Sequence, residues 1–399
     1  MKSGGLFLLC AFVVLQNPLA GRAEDPQRAA ERIASFGREL AASRGAGTYV
    51  DCPLSVYRAL AMLWAGARNE TADQIARVLD DPGGAQLWSD LDALQSMLRD
   101  FSGGALPVTT RERLWTQAGY PLAPAYVDFL GRHGLEAPGS ADFVADPDQC
   151  REQINRWAAE ATRDRVPALF PAGAFSGATR AVLAGTVFFQ GRWAESFDPA
   201  QTRPEIFHGL AGAAPIPLMH RKGRLVYAEN PEWQIVGLPF DDRVTELIVA
   251  LPAPDSADRP DGSGALAAWM AAGQEREVDL FLPRFSVSSS LDLSARLAEM
   301  GMPDAFSRDR ADFSGVNPEL YLSGVFQGVS VAVDESGAVA AAGAGAVLNV
   351  KSMAFRPPPP VVFRADRPFF FFIRDAASGL IYFSGRLADA PEAPASAGD

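Results

Sequence analysis

The chain has 399 residues, of which 48% are hydrophobic and 21% charged, an ordinary globular balance with ample material for a large core. Its formal net charge of −12 argues against nucleic acid and anionic membrane surfaces as partners. The length could hold two or three domains, but no internal repeat and no break in composition marks a boundary. We therefore expect a single domain over residues 24–389, followed by a disordered Ala/Pro-rich tail at residues 390–399.

The first 23 residues have the three parts of a secretory signal peptide. Lys2 supplies the positive charge, Leu6–Leu15 is an apolar stretch too short to span a bilayer, and Gly21–Ala23 is a small-residue cleavage site. The alternative is a buried N-terminal helix. A signal peptide predicts a secreted, extracellular protein, or a periplasmic one if the source is a Gram-negative bacterium.

Two cysteines remain once Cys10 has left with the signal peptide. Cys52 and Cys150 could pair in a secreted chain, although a core of this size does not need a disulfide. The sequence leaves their pairing open.

Three helices are predicted near the start of the domain. Asp25–Pro26 is a capping side chain followed by proline, and an amphipathic helix continues to about Ala42. A second helix opens at Cys52–Pro53 and is apolar nearly all round, which predicts burial on all sides. Thr71 and Gln74 fit a capping box for the third.

Asn69 precedes that third helix and carries two further signals. With Thr71 it forms an N-glycosylation sequon, which matters only if the source organism glycosylates secreted proteins. Asparagine also tolerates a left-handed turn better than most residues.

The middle of the chain supplies strands. Ala181–Trp193 is a continuous apolar run, as expected of a central strand covered on both faces. Thr245–Leu251 is a second buried strand, Val278–Val287 an alternating one, and Val329–Val333 a further strand. His208 and His220 flank a predicted hairpin as surface or structural residues.

The composition of Glu335–Ser352 suits both an exposed loop and a strand. Every second residue is apolar: Ala338, Ala340, Ala342, Ala344, Ala346, Leu348 and Val350. Since successive strand residues point to opposite faces, this segment could lie in a sheet with one wholly apolar side. Gly337, Gly343 and Gly345 keep it flexible outside the sheet. The alternative is a flexible Ala/Gly surface linker.

Two buried strands close the domain. Arg356–Pro360 is stiff and extended, either as the lead into an edge strand or as a proline-rich ligand. Arg367–Ile373 and Leu380–Arg386 then form a strand pair joined by Asp375–Gly379.

From about Pro26 to Leu387 these elements resemble the serpin family in order and spacing. The motifs that carry the resemblance are Cys52–Ser55, Ile154–Trp157, Ala181–Trp193, Asp312–Gly315, Leu322–Ser323, the Glu-x-Gly-Ala-x-Ala-Ala-Ala run from Glu335, and the two C-terminal strands. Each motif alone is weak, and their combination is strong.

The chain departs from the family pattern at five positions. The family usually has serine at Cys52, glycine at Asn69, asparagine at Gly185, in many members histidine at Gln327, and commonly an acidic residue at Val339. Any mechanism that needs that histidine is closed to this chain. Val339 lies opposite the apolar set, so we expect it to be tolerated.

The resemblance implies an α+β serpin fold. It would contain a large central sheet, two smaller sheets, about eight or nine helices and an exposed reactive-centre loop at about residues 335–360. The implied activity is serine protease inhibition by a suicide-substrate mechanism. The implied hinge residues are Glu335, Gly337, Ala338, Ala340, Ala341 and Ala342.

The scissile bond is placed by counting. In the family the scissile residue follows the hinge glutamate by sixteen positions, which gives Lys351–Ser352 and a trypsin-like target. The segment after Ser352 is longer than in familiar relatives, so Phe355 (chymotrypsin-like target) or Met353 stays open. Three further functions also stay open: a non-inhibitory carrier or chaperone, an inhibitor of cysteine proteases through a thioester, and an ordinary extracellular binding protein.

The sequence offers no evident catalytic machinery of its own. His133, His208 and His220 have no metal-ligand spacing, and no nucleophile elbow or phosphate loop is present. We expect no enzyme activity, no cofactor and no metal. No basic cluster exceeds Arg221–Arg224, so we expect no heparin site, no membrane partner, and a monomer that meets a serine protease.

Overall fold

The structure is a computed structural model that describes residues 25–42, 44–80, 84–101, 108–254, 266, 269, 272–338 and 359–390. The predicted signal peptide lies outside the described residues, as do residues 391–399 of the predicted tail and the loop from Val339 to Pro358. Within these ranges the predicted α+β class is confirmed.

Helices pack on more than one face of the protein, since helical residues belong to two separate hydrophobic clusters. The α-helices are α1 (Pro26–Ala41), α2 (Pro53–Gly66), α3 (Asn69–Val78), α4 (Ala85–Phe101), α5 (Pro124–Arg132), α6 (Pro147–Ala161) and α7 (Ser294–Glu299). Two 3₁₀ helices lie at Pro199–Gln201 and Pro303–Phe306. The Asp25 side chain caps α1 by accepting from the Arg28 backbone N–H (3.1 Å), as predicted.

The predicted capping box at Thr71 is wrong, because α3 begins two residues earlier. Asn69 has a φ of +49° and is the first residue of the helix, which confirms the left-handed turn predicted there. Its side-chain amide donates to Asp312 (2.7 Å). The Thr71 hydroxyl accepts from the backbone N–H of Asp312 (3.0 Å) and does not cap its own helix.

One sheet has nine strands. Its spatial order is β1 (Tyr49–Asp51), β16 (Ile381–Leu387), β15 (Phe369–Asp375), β9 (Thr245–Pro252), β8 (Trp233–Pro239), β7 (Gly212–Glu229), β10 (Gln274–Pro283) and β14 (Val361–Arg364), with β6 (Arg203–Gly209) paired to β7. The predicted C-terminal strand pair is therefore present, and Pro360, the last residue of the predicted lead segment, directly precedes the edge strand β14.

A second sheet has five strands. Its order is β11 (Phe285–Asp292), β12 (Leu322–Val333), β4 (Ala181–Phe189), β2 (Val108–Gln117) and β3 (Gly139–Ala141). A short two-stranded ladder joins β13 (Gly337–Ala338) to β5 (Gly191–Arg192). The single strand predicted over Val278–Val287 is wrong: the chain leaves β10 at Pro283 and enters β11 at Phe285, in the other sheet.

The largest hydrophobic cluster fills the space between the two sheets and includes nearly all of α2. Cys52 and Cys150 are both buried and are free thiols in the structure. None of the helices in the described part of the chain is long and apolar enough to cross a lipid bilayer. Among those same residues no group of three or more His, Cys, Asp or Glu side chains could hold a metal ion.

Candidate functional site

The boundary between β4 and β12, called the seam here, lies in the middle of the five-stranded sheet. The two strands are parallel and paired directly, from Ala181 opposite Leu322 to Phe188 opposite Ser330. All nine residues of β4 are buried, as the apolar run predicted. Because the chain turns immediately after β12, the residues that follow emerge at the end of the seam.

That turn, Asp334–Gly337, is held by hydrogen bonds to the segment after β4. The backbone N–H of Trp193 donates to the Ser336 carbonyl oxygen (3.0 Å), and its indole N–H donates to the Asp334 carbonyl oxygen (2.8 Å). The Trp193 ring stacks on Phe240 with centroids 4.7 Å apart, which fixes the indole. The hinge is therefore attached to a rigid aromatic support.

Gly337 is required by its backbone conformation and its surroundings. Its φ of +151° is unfavourable for residues with a Cβ, and an added Cβ would lie 2.1 Å from the Gly191 carbonyl oxygen. This close approach allows Gly337 and Ala338 to pair antiparallel with Arg192 and Gly191. The first residues of the predicted loop thus already lie beside the continuation of β4.

Glu335, the predicted hinge glutamate, is buried and paired. Its carboxylate accepts hydrogen bonds from the Thr202 hydroxyl (2.7 Å) and from the Arg284 guanidinium. Burial by itself raises the pKa of this carboxyl, but the bonds from Arg284 and Thr202 outweigh it and lower the pKa below its ordinary value. The charged form therefore stabilises the hinge.

Beneath the seam, two departures from the family pattern come together. The Gln327 side chain accepts from the Cys52 backbone N–H (3.3 Å) and donates to the Cys52 carbonyl oxygen (2.8 Å). Gln327 thus ties β12 to the start of α2 without a titratable group. Burial raises the pKa of the Cys52 thiol, so it stays protonated and unreactive.

A third departure, Gly185, faces the same place. A Cβ there would lie 3.1 Å from the Ser55 hydroxyl oxygen, so glycine leaves room for that side chain. The Thr186 hydroxyl has no hydrogen-bond partner among the described residues, and the Ser55 hydroxyl lies near the Glu112 carboxyl without forming a hydrogen bond of ordinary geometry. The polar network beneath the seam is therefore incomplete on the β4 side.

The remaining predicted residues fall outside the described ranges: Ala340, Ala341, Ala342, Lys351, Ser352, Met353 and Phe355. Sequence reasoning missed Thr202, Arg284 and Trp193 as hinge contacts. No local signal identifies them, since each lies more than fifty residues from its hinge partner along the chain. Arg284 also lies at the strand break after Pro283, which the sequence did not predict.

Removing the Glu335 carboxylate should loosen the hinge. For Glu335→Ala we expect the free energy of unfolding of the intact chain to fall by about 1–2 kcal/mol, since charge-assisted bonds are lost but Arg284 is half exposed. The backbone N–H groups of Trp193 and Phe197, which donate to the turn, should exchange hydrogen faster. The matched control is Glu205→Ala, which removes the Glu205–Arg364 ion pair and should leave those two amides protected.

The same pair predicts a pH dependence. A carboxyl whose folded-state pKa is lowered contributes stability above its unfolded value, about 4.3, and loses it as the pH falls through the folded value. Protection of Phe197 should therefore decrease in acid in the wild type. If Glu335→Ala showed the same acid-induced decrease, Glu335 would not be the responsible group.

The chain is similar to known proteins along most of its length. A model of the family described as "Serpin (serine protease inhibitor)" matches residues 33–390. The chain is 31% identical over 341 residues to an uncharacterised serpin-like protein of Thermococcus kodakarensis, covering 84% of this chain and 79% of that protein. It is 30% identical over 385 residues to serpin B10 of Rhinolophus ferrumequinum, covering 88% and 96%.

Solved structures show the same fold. Native protease nexin-1 with heparin superposes with a TM-score of 0.80 at 23% identity, over 92% of this chain and 100% of that one. A thyroxine-binding globulin complex with thyroxine gives a TM-score of 0.79 at 22% identity, with the same coverage.

Proposed function

The chain belongs to the serpin family, and from this premise we propose that it inhibits a serine protease by serving as its suicide substrate. The protease cuts the loop, and the hinge segment then enters the seam between β4 and β12 as a new strand. Support comes from the closed seam, whose two strands pair directly, and from the hinge that emerges at its end.

The observation that carries this proposal is the register of β13. If the pairing of Ala338 with Gly191 continued, Ala340 would come opposite Phe189 and Leu348 opposite Ala181, the first residue of β4. Directly opposite residues of an antiparallel pair share a face. Ala181, Leu183, Val187 and Phe189 belong to the main core, so the wholly apolar side of the loop would face that core.

The same register supports Lys351–Ser352 as the scissile bond. Lys351 would follow the last paired residue closely, so the attached protease would be drawn against the end of the sheet. Cleavage after Phe355 would add four residues, about 13 Å of extended chain, and would relax that pull. The target would then be trypsin-like, because lysine requires an acidic specificity pocket.

The chemistry of trapping needs no catalytic group from this chain. The protease serine attacks the Lys351 carbonyl carbon, the bond to the Ser352 nitrogen breaks, and that nitrogen leaves as an amine. The Lys351 acyl group stays on the serine as an ester. Strand insertion then moves the enzyme before water can hydrolyse the ester, so the chain is acted upon by an enzyme and is not one.

The surface ion pairs of the basic run argue against a polyanion as a second partner beside the protease. In the short basic run, Arg221 pairs with Glu195 (3.1 Å), Lys222 with Asp279 (3.1 Å) and Arg224 with Glu275 (2.8 Å). These ion pairs neutralise the run, so we expect neither heparin nor an anionic membrane to bind there. We also propose that the chain is secreted, on the strength of the signal-like residues 1–23, and that it meets its protease as a monomer.

Mixing the purified protein with trypsin tests the proposal. We expect a complex that survives denaturing electrophoresis, shifted upward by the mass of the protease, and a released fragment that begins at Ser352. Trypsin with a blocked active-site serine is the control and should give no complex. Chymotrypsin and a papain-type protease in parallel would reveal cleavage after Phe355 or Met353.

Two outcomes would contradict the proposal in different ways. Cleavage of the loop without any stable complex would favour a non-inhibitory carrier, the kind of serpin of which thyroxine-binding globulin with its thyroxine is an example. A complex with a fragment that begins at Ala354 or Arg356 would keep the mechanism and move the scissile bond.

A further inference from the structure

Three positions form one row across the five-stranded sheet, on the side that faces α2. They are Glu112 on β2, Gly185 on β4 and Gln327 on β12, each directly opposite the next. Gln327 is bonded to Cys52, the residue that precedes α2. Glu112 pairs with Arg58 of α2, with Oε2 3.6 Å from Nε. Both ends of the row are thus tied to one helix, and the middle is not.

Strand insertion would strain these two ties against each other. Cys52 and Arg58 are six residues apart, about 9 Å along a helix. This matches the two strand spacings, about 9.6 Å, that separate Gln327 from Glu112 in the closed sheet. A strand that enters the seam adds about 4.8 Å to that separation. Because α2 is a buried helix that cannot lengthen, insertion pulls the two ties apart, and the more weakly held one gives way first.

The geometry shows which tie is weaker. Gln327 makes two hydrogen bonds to backbone groups and is 1% exposed. Within the described ranges, by contrast, Glu112 Oε1 and Arg58 Nε have no hydrogen-bond partner. We propose that Glu112 is a positioning residue that restrains insertion, and that its contact with Arg58 breaks while Gln327 stays bonded to Cys52. The proposal rests on the proposed function, since insertion is the step it concerns.

Breaking this tie is costly because both side chains are buried. Glu112 is 3% exposed, and the Arg58 side chain is 14% exposed. Burial raises the pKa of Glu112, and the nearby Arg58 charge, together with the Thr110 and Ser55 hydroxyls, offsets this only in part. Once separated from Glu112, the Arg58 guanidinium would be a largely buried charge without its partner, because arginine cannot lose its proton while the buried carboxyl can take one up. The pair therefore adds to the barrier against opening.

The experiment measures insertion directly, without a protease. Intact protein is incubated with a synthetic peptide that has the sequence of residues 338–349, and uptake is followed by native mass spectrometry. For Glu112→Gln, which keeps the volume and removes the charge, we expect uptake about tenfold faster, equivalent to about 1.4 kcal/mol of barrier. Arg58→Met should act similarly, and the double variant should be no faster than the faster single one.

Two control variants separate this role from a general loss of stability. Glu246→Gln breaks a comparably buried Glu–Arg pair, with Arg374, in the nine-stranded sheet and should leave uptake at the wild-type rate. Gln327→Leu removes a tie that we expect to persist, so it should lower the melting temperatures of the intact and peptide-loaded forms alike. Its uptake rate should stay within about twofold of wild type.

The outcomes distinguish this proposal from the one it rests on. Equal uptake by wild type and Glu112→Gln, or acceleration by Gln327→Leu as large as that by Glu112→Gln, would overturn the role of Glu112 alone. If neither wild type nor any variant took up peptide, strand insertion itself would be excluded. The proposed function would then fail, and the role of Glu112 with it.

Discussion

Cutting the loop at Lys351–Ser352 should raise the melting temperature of the chain by about 10 °C. A strand that enters the seam replaces the single β4–β12 ladder by two ladders and buries its alanine-rich side against Leu183, Val187 and Phe189. To distort a bound protease, the net gain must be comparable with the stability of a whole domain, about 5–15 kcal/mol. For a chain of this length each kcal/mol corresponds to roughly 1.3 °C, so about 8 kcal/mol gives the stated rise.

The measurement compares intact and cut protein by calorimetry. A protein cut at another exposed site, outside the loop, is the control and should melt no higher than the intact chain. Cut and intact forms with the same melting temperature would mean that the closed seam stores no energy. The suicide-substrate mechanism would then be excluded for this chain, whatever its family.

Much of the fold could be predicted because local chemistry determines it. Asp25–Pro26 and Cys52–Pro53 place proline in the first turn of α1 and α2, where its missing N–H is not needed. The apolar run of β4 and the C-terminal strands β15 and β16 are buried as their composition predicts. In each case the signal lies within about ten residues.

The failures have a common cause, which is contact between distant parts of the chain. Thr71 fits a capping box, yet its hydroxyl bonds to Asp312, 241 residues away. The break between β10 and β11 places Arg284 next to Glu335, and no periodicity within the strand indicates it. The Glu112–Arg58 pair likewise depends on how the sheet lies on α2. A single sequence contains these residues but not their pairing.

The alternation of apolar residues in the loop, in contrast, predicts which side chains face the core after insertion. The register of β13 specifies the residues they would lie opposite. In the inserted strand Ala340 would lie opposite Phe189, on the side of the main core. Ala340→Glu would place a carboxylate there without a partner, which costs at least about 2 kcal/mol. Insertion should slow by about 30-fold relative to ester hydrolysis. Ala338→Arg should act in the same direction, one pair earlier.

The result expected for Ala340→Glu is conversion from inhibitor to substrate. Trypsin should cut the variant at the wild-type rate, but most molecules should release active enzyme, so that many moles of the variant are consumed per mole inhibited. The matched control is Val339→Glu, the same charge one residue away on the opposite side, and it should still form the stable complex. If both variants formed the complex equally well, the apolar side of the loop would not enter the core. If neither did, charge anywhere in the hinge would block trapping, and the register from Gly191 would not describe the inserted strand.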